Sequence, residues 1–206
     1  MDVKITTLGH ACFMLETEGY RTVIDPYAHG MIPGLPELHV VADAVYCSHD
    51  HGDHNFREAV GLFAAEKPVP YTVSEYTTPH DDQGGTLRGM NTVRIFDFGG
   101  QRLAHMGDIG CFPDEALAAA LKGVDCMLIP VGGFYTVNAQ TAYQIVRAAD
   151  PRVCIPMHYS TENTGFDNIA QVEDFTKLVG KVNTADNTFV LTPDTEKQTI
   201  VLNYKF

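Results

Sequence analysis

The segment Ser48-His49-Asp50-His51-Gly52-Asp53-His54 places three imidazoles and two carboxylates within seven residues. Alternate side chains of an extended chain share a face, so His49, His51 and Asp53 can point into one volume, and a bend lets His54 join them. Neutral imidazole nitrogen and carboxylate oxygen suit a borderline divalent ion. Because only nine of the 206 residues are histidine, this density favours a metal site over a histidine-rich surface loop.

One turn leaves coordination positions open, so further ligands must come from elsewhere in the chain. Three side chains in turns after or between predicted strands have the required chemistry: His80 in a loop with proline and glycine, Asp108 at a strand end between glycines, and His158 after an apolar run. A carboxylate at a strand end can reach two cations, one with each oxygen. Each residue alone is more often a loop or core residue, but the repeated placement makes all three candidates.

The elements that must position these residues follow from the hydrophobic pattern. We predict strands over residues 3–6, 12–16, 22–25, 44–48, 92–98, 102–106, 126–131, 153–157, 188–191 and 199–203. Helical periodicity predicts helices over 113–122, 138–149 and 168–179, and a further helix after Asn55, with Asn55 as its N-cap and Glu58 as the capping-box partner. Hairpins come early and strand-helix alternation later. This order predicts an α/β (α+β) fold, a four-layer αββα sandwich of two mixed sheets flanked by helices.

Length and composition limit the classes of protein. The chain has 206 residues and 45% hydrophobic content, which fits a single domain over 1–206. Its formal net charge of −12 repels polyanions, so we expect no nucleic-acid partner. No stretch is long and apolar enough to span a bilayer, and the start lacks a secretory signal, so we expect no membrane partner and a cytoplasmic location. The five cysteines form no CxxC pair, which indicates reduced, mostly buried thiols.

These motifs together resemble the metallo-β-lactamase superfamily, in the branch of metal-dependent hydrolases that includes proteins similar to ascorbate-6-phosphate lactonase. The resemblance rests on Leu8-Gly9-His10, Ile24-Asp25-Pro26, HxHxDH from His49 to His54, the His80 loop, Gly107-Asp108 and Ile155-Pro156-Met157-His158-Tyr159. It implies two divalent metal ions. One would be bound by His49, His51 and His80, the second by Asp53, His54 and His158, with Asp108 bridging them. It also implies that Asp25 supports the metal turn without binding the ion.

Such a pair of cations predicts a hydrolase that uses a metal-bridged hydroxide to cleave an ester, lactone or phosphodiester bond of a small-molecule substrate. We expect zinc, with manganese also suited to these ligands. Asp53 and Asp108 are the candidate catalytic carboxylates. His105 is a candidate for orienting the substrate or protonating a leaving group, with a buried strand histidine as the alternative. His10 is a candidate for lining the cleft.

Other interpretations stay open at this level. The chain could be an iron-dependent oxygenase of the same superfamily, or a metal-stabilised binding protein without turnover; open coordination positions argue against the latter, because structural sites are closed by four protein ligands. Segment 27–38 could cover the metal pair or mediate a homo-oligomer contact. Arg88 could bind an anionic substrate group or form a structural ion pair. Tyr135 and Tyr159 could offer hydroxyls to substrate or be buried.

Overall fold

Short strands make up most of the regular structure. The computed structural model describes residues 1–64 and 67–204. Strands in these ranges are β1 (Val3–Gly9), β2 (Cys12–Thr17), β3 (Tyr20–Ile24), β4 (Val40–Ala42), β5 (Ala44–Tyr46), β6 (Val60–Leu62), β7 (Thr72–Pro79), β8 (Met90–Asp97), β9 (Arg102–His105), β10 (Cys126–Pro130), β11 (Val153–Met157), β12 (Asn183–Ala185), β13 (Thr188–Leu191) and β14 (Gln198–Leu202). The helices are α1 (Glu115–Leu121), α2 (Ala139–Ala149) and α3 (Glu173–Val179), with a 3-10 helix at Arg57–Ala59.

The strands form two large mixed sheets and one small parallel pair. The first sheet has five strands in the order β13-β1-β2-β3-β5, and only β3 and β5 pair in parallel. The second has seven strands in the order β12-β14-β11-β10-β9-β8-β7, parallel from β12 to β9 and antiparallel beyond. The small pair is β4-β6. The predicted pair of mixed sheets is therefore confirmed.

The two large sheets pack face to face because their strands alternate apolar side chains between two environments. In β2, Phe13 and Leu15 point into the core between the sheets, whereas Cys12 packs on the outer face. Strand β10 is buried at every position: Leu128 contributes to the core between the sheets and Ile129 to the core under the helices. Such a continuous apolar run is typical of a strand covered on both faces.

Different layers cover the two outer faces of this sandwich. Helices α1, α2 and α3 cover the seven-stranded sheet, with Leu117, Ile145 and Phe175 in the apolar cluster. The other sheet is covered by the irregular segment 26–39 and the β4-β6 pair, where a regular αββα layering would place helices. Three prolines within 26–36 prevent a regular helix there. The packed side chains of this cover include Tyr27, Ile32, Leu38, Ala42 and Val60.

All ten predicted strands overlap observed ones, and three of the predicted helices are present, although α3 begins later than expected, at Glu173. The helix predicted after Asn55 is wrong. Only the 3-10 helix at Arg57–Ala59 forms there, and the chain then enters β6. The Asn55 side chain donates to Asp50 Oδ1 at 2.6 Å, and the residue at the helix start, Phe56, makes no side-chain cap.

Strands β4, β6, β7 and β12 were not predicted.

Within the described ranges, no helix has both the length and the apolar character needed to cross a bilayer.

Candidate metal centre

The turn that follows β5 is fixed by a buried carboxylate. Asp25, which is fully buried, accepts hydrogen bonds from the Ser48 backbone N–H at 2.6 Å and the Ser48 hydroxyl at 2.6 Å. Its Oδ2 also lies 2.8 Å from His54 Nδ1, so the Nδ1–H of His54 donates to it. This bond leaves His54 Nε2 facing away from Asp25, as metal-binding histidines require. Asp25 therefore holds the turn and orients His54 without entering the cluster itself.

The first group of donor atoms joins this turn to the end of β7. Ligand atoms of His49, His51 and His80 lie within 4.8 Å of one another. The rings of His49 and His80 have centroids 4.4 Å apart, and His80 is buried while His51 is exposed. The Ser48 hydroxyl lies 2.9 Å from His49 Nδ1, which leaves Nε2 directed to the group. These three are the histidines predicted to share one ion.

The second group lies beside the first and has one more member than predicted. Ligand atoms of His10, Asp53, His54 and His158 lie within 4.8 Å of one another. Asp53 Oδ2 is 3.5 Å from His54 Nε2 and 3.5 Å from His10 Nε2. The His10 and His158 rings are 3.8 Å apart between centroids. His10, expected only to line the cleft, therefore faces the same point as the three predicted ligands.

Asp108 lies between the two groups. Its Oδ2 is 3.1 Å from His158 Nε2, 3.3 Å from His54 Nε2 and 3.5 Å from His80 Nε2. His80 belongs to the first group, whereas His54 and His158 belong to the second. A single carboxylate therefore lies close to imidazoles of both groups, and Asp108 is the one that contacts members of both.

Asn91, which was not recognised in the sequence, and the glycines on either side of Asp108 hold this carboxylate in place. The Asn91 side-chain oxygen accepts the Asp108 backbone N–H at 2.9 Å. A Cβ at Gly107, where φ is +53°, would lie 2.1 Å from that same oxygen. A Cβ at Gly110 would lie 2.1 Å from the Asp81 backbone nitrogen, directly after His80. Only glycine allows these approaches, which bring the loops carrying Asp108 and His80 together.

The donor atoms suit a bound cation because they lack partners of their own. Within the described residues, several buried side-chain atoms at the cluster make no hydrogen bond, although buried polar groups normally do. They are His10 Nδ1 and Nε2, His49 Nε2, His54 Nε2, His80 Nδ1, His158 Nδ1 and Nε2, and Asp108 Oδ1. Imidazole nitrogens with carboxylate oxygens are the donor set of zinc and related divalent ions. The residues present therefore fit the metal centre that the sequence predicted.

Electrostatics at the cluster also favour a cation. Burial lowers the pKa of His10 to about 4 and the pKa of His49 to about 3, which keeps both rings in the neutral form that binds metal. For His54, burial acts in the same direction, but the carboxylates around it, Asp108 foremost, outweigh burial and raise its pKa well above the usual range. Burial would raise the pKa of Asp108, yet the adjacent His158 and His54 hold it well below its usual range.

The three carboxylates around His54, which are Asp25, Asp53 and Asp108, therefore favour positive charge at this point, and bound divalent cations would supply it.

His105 is the predicted site residue that the structure does not bring into the cluster. It is buried, its Nε2 lies 3.0 Å from the Ala11 carbonyl oxygen, and its Nδ1 accepts the Gly107 N–H at 3.1 Å. These partners assign the neutral tautomer with the proton on Nε2. Both ring nitrogens are occupied by backbone, so His105 supports the turn before Asp108 and has no free nitrogen for a substrate.

Comparison with known proteins agrees with this geometry. A family profile described as a beta-lactamase superfamily domain matches residues 4–158. A UPF0173 metal-dependent hydrolase of Methanosarcina mazei is 31% identical over 221 aligned residues, which cover 89% of this chain and 94% of the relative. The corresponding protein of Deinococcus radiodurans is 32% identical and covers 77% of this chain and 85% of its own.

Solved structures show the same fold. A Thermotoga maritima protein assigned to the zinc-dependent hydrolases of the metallo-beta-lactamase superfamily has a TM-score of 0.73 and 30% identity, covering 97% of this chain and 98% of its own. A metallo hydrolase of Ignicoccus hospitalis, 21% identical, has a TM-score of 0.67 over 93% of this chain and 99% of its own. With its sandwich of mixed sheets and its histidine and aspartate cluster, this chain belongs to the metal-dependent hydrolases of the metallo-beta-lactamase superfamily.

Proposed function

We propose that this protein binds two divalent cations and hydrolyses an ester, lactone or phosphodiester bond in a small molecule. One ion would be held by His49, His51 and His80, and the other by Asp53, His54 and His158, with Asp108 shared and His10 facing the second ion. The observation that carries the proposal is the position of Asp108 Oδ2, within 3.1–3.5 Å of imidazole nitrogens from both groups.

Cations bound there would supply Lewis acidity and lower the pKa of a bound water toward neutrality. The two carboxylates of the cluster then have different roles, because their exposure differs. The Asp108 side chain is 2% exposed and can act only within the cluster, whereas the Asp53 side chain is 17% exposed. Asp53 is therefore the carboxylate that can contact the substrate and accept a proton from an attacking water. No serine or cysteine nucleophile is needed for this chemistry.

A small substrate fits the surroundings of the cluster. The formal net charge of −12 opposes long polyanions. A cavity of about 440 Å³ next to the His80 and Asp108 loops has the size of a small-molecule site. Zinc is the proposed ion and manganese the second choice, since both accept imidazole and carboxylate ligands.

The test combines metal content with turnover. Protein stripped with a chelator and reloaded with Zn²⁺ or Mn²⁺ is expected to bind close to two ions per chain by mass spectrometry of the metal. Loaded protein is then assayed on a chromogenic panel of phosphodiester, carboxyl ester, lactone and β-lactam, and we expect hydrolysis within the first three classes. Activity that survives complete chelation would rule out the metal-dependent mechanism, and saturation at one ion would rule out the dinuclear centre.

Replacing His10 by Gln tests whether this residue contributes to the second ion. We expect the affinity for one of the two ions to fall by roughly 10- to 100-fold, as for groups that support a metal site, while the other ion is retained. Competition with a metal indicator dye measures both constants. His39→Gln is the control, because His39 is exposed and lies beside Glu37, away from the cluster. Unchanged affinity for both ions would leave His10 as a cleft residue only.

A further inference from the structure

A cavity of about 440 Å³ is lined by residues that follow His80 and Asp108 in the chain. Its walls come from three loops: 81–88, which follows His80; 110–112, which follows Asp108; and 134–141, which leads into α2. The Gly110 N–H donates to the Pro79 carbonyl at 2.9 Å, and the Val137 N–H donates to the Ile109 carbonyl at 2.9 Å, so the three loops are joined by backbone hydrogen bonds. The cavity is therefore built on the same loops that carry two of the donor side chains.

Arg88 supplies the positive charge of this cavity. Its guanidinium carbon lies 5.9 Å from the centroid of the Phe134 ring and 5.6 Å from that of the Tyr135 ring. These distances are within the range of cation–π attraction, and the N–H groups of a guanidinium can donate to an oxyanion in a bidentate way. Within residues 1–64 and 67–204 the Arg88 side chain forms no ion pair, so the structural pairing considered for it is not observed.

The adjacent Asp81 carboxylate does not pair with the Arg88 guanidinium, because both its oxygens accept hydrogen bonds from backbone N–H groups. Its Oδ1 accepts the N–H groups of Gln83 and Gly85, both at 2.8 Å, and its Oδ2 accepts those of Leu87 and Arg88, both at 2.9 Å. These four bonds fix the loop from Asp81 to Arg88. The loop holds the Arg88 backbone in place and leaves its guanidinium to the cavity.

Aromatic rings connect this cavity to the second donor group. Phe134 is 61% exposed and has φ of +58°, a strained conformation for a bulky residue that tends to persist at functional sites. Beside it, Tyr135 is fixed by its hydroxyl, which accepts from the Asn168 side-chain amide at 2.8 Å. The Tyr135 ring lies 5.7 Å from Phe166, and Phe166 lies 5.5 Å from His10 between centroids. These ring contacts therefore run from the cavity to His10 of the second donor group.

We infer that this cavity is a recognition site for a carboxylate or phosphate group attached to a flat apolar body, with Arg88 binding the oxyanion and Phe134 and Tyr135 contacting the body. The inference rests on the proposed function, because it places the substrate's anionic end at Arg88 and its scissile bond at the cluster. A protein with a formal charge of −12 repels small anions in general, so a local unpaired guanidinium is what allows one to bind.

Cys111 gives a readout that does not depend on turnover. It lines the same cavity and is half-buried, whereas Cys12, Cys47, Cys126 and Cys154 are all buried. The rate of alkylation by iodoacetamide in the folded, metal-loaded protein therefore reports on Cys111. The probes are phenylphosphonate and phenylacetate, which separate phosphate-like from carboxylate recognition, and phenylacetamide, which matches phenylacetate in shape but has no charge.

We expect at least one anionic probe to protect Cys111 in the native protein, and phenylacetamide to protect it at least tenfold less well. Arg88→Gln is expected to weaken protection by the anion roughly tenfold or more, the change that follows from losing hydrogen bonds to a charged group. Arg88→Lys, which keeps the charge but not the planar fork, should restore part of it. The control Arg147→Gln removes the same charge from α2, away from this cavity. In this variant the anionic probe should protect Cys111 as well as it does in the native protein.

Equal protection in Arg88→Gln and native protein, or equal protection by the amide and the acid, would overturn the inference. The proposed function fails separately. If Arg88 does not bind the anion, metal-dependent hydrolysis of neutral esters can still be observed. If Arg88-dependent protection is observed without hydrolysis of any chromogenic substrate, the recognition site stands and the proposed reaction is wrong. Circular dichroism melts of both Arg88 variants establish that they are folded.

Discussion

Replacing Asp108 by Asn is expected to lower kcat/KM by roughly 10²- to 10³-fold or more, the cost of removing one electrostatic element from a preorganised site. The reason is geometric. Asp108 Oδ2 is the atom that approaches His54, His80 and His158 together, so the substitution removes negative charge from both donor groups at once. The number of ions retained per chain after gel filtration should fall below that of native protein, with the loss shared by both ions. Metal analysis and kinetics on the same preparations measure the two effects.

His105→Gln is the matched control for this substitution. His105 is buried like Asp108 and lies at the end of β9, but both its ring nitrogens contact backbone. We expect a loss of about 1–3 kcal/mol in the free energy of unfolding, from backbone groups left without partners, with two ions still bound. If Asp108→Asn kept both ions and full activity while His105→Gln lost them, the assignment of the bridging carboxylate would be wrong.

Asp25→Asn is expected to have the largest effect on stability. The Asp25 carboxylate receives three donors, from the Ser48 N–H, the Ser48 hydroxyl and His54 Nδ1, and an amide of the same size would turn one NH₂ group toward a donor. We expect the free energy of unfolding to fall by about 3 kcal/mol, since single hydrogen bonds to charged groups contribute about 1.5–3 kcal/mol. For a chain of this length that lowers Tm by roughly 6–12 °C.

The same substitution should weaken metal binding roughly 10- to 100-fold, because His54 loses the partner that orients its ring. Asp97→Asn serves as control, since Asp97 is the last residue of β8 and its side chain accepts, within the described residues, only the Gly100 backbone N–H at 3.0 Å. Its unfolding free energy should change by no more than about 0.5 kcal/mol. Scanning calorimetry of both variants, with and without zinc, compares them. Equal melting temperatures would show that Asp25 does not hold the metal turn.

The central strands could be predicted from the sequence because their burial is visible locally. Strand β10 is apolar at successive positions and β2 alternates, and both patterns persist in the fold. Segment 60–62 has no such signal, since its strand forms by pairing with the distant segment 40–42. Strand β7 also escapes detection, because half of its positions are exposed and one is buried, and its stability comes from pairing with β8.

The site shows the same division. The turn from His49 to His54 could be recognised because its donors are adjacent in the sequence. The approach of His10 to Asp53 could not be predicted, since it depends on how the turn between β1 and β2 lies against the end of β5. The contact between Asn91 and Asp108 likewise joins two loops whose proximity is decided by sheet order. Packing of the loops, and not residue type, decides these neighbours.

The donor side chains come from both sheets of the sandwich. His10 and the turn after β5 extend from the five-stranded sheet, whereas His80, Asp108 and His158 extend from the seven-stranded sheet. A bound pair of ions would thus add a cross-link between two halves that hydrogen bonds, such as that from the His158 N–H to the His10 carbonyl at 3.1 Å, already join at this end. Chelation would then do more than stop a reaction: it would also remove a connection between the two sheets, so that the protein's resistance to unfolding would come to depend in part on the metal supply of the cell.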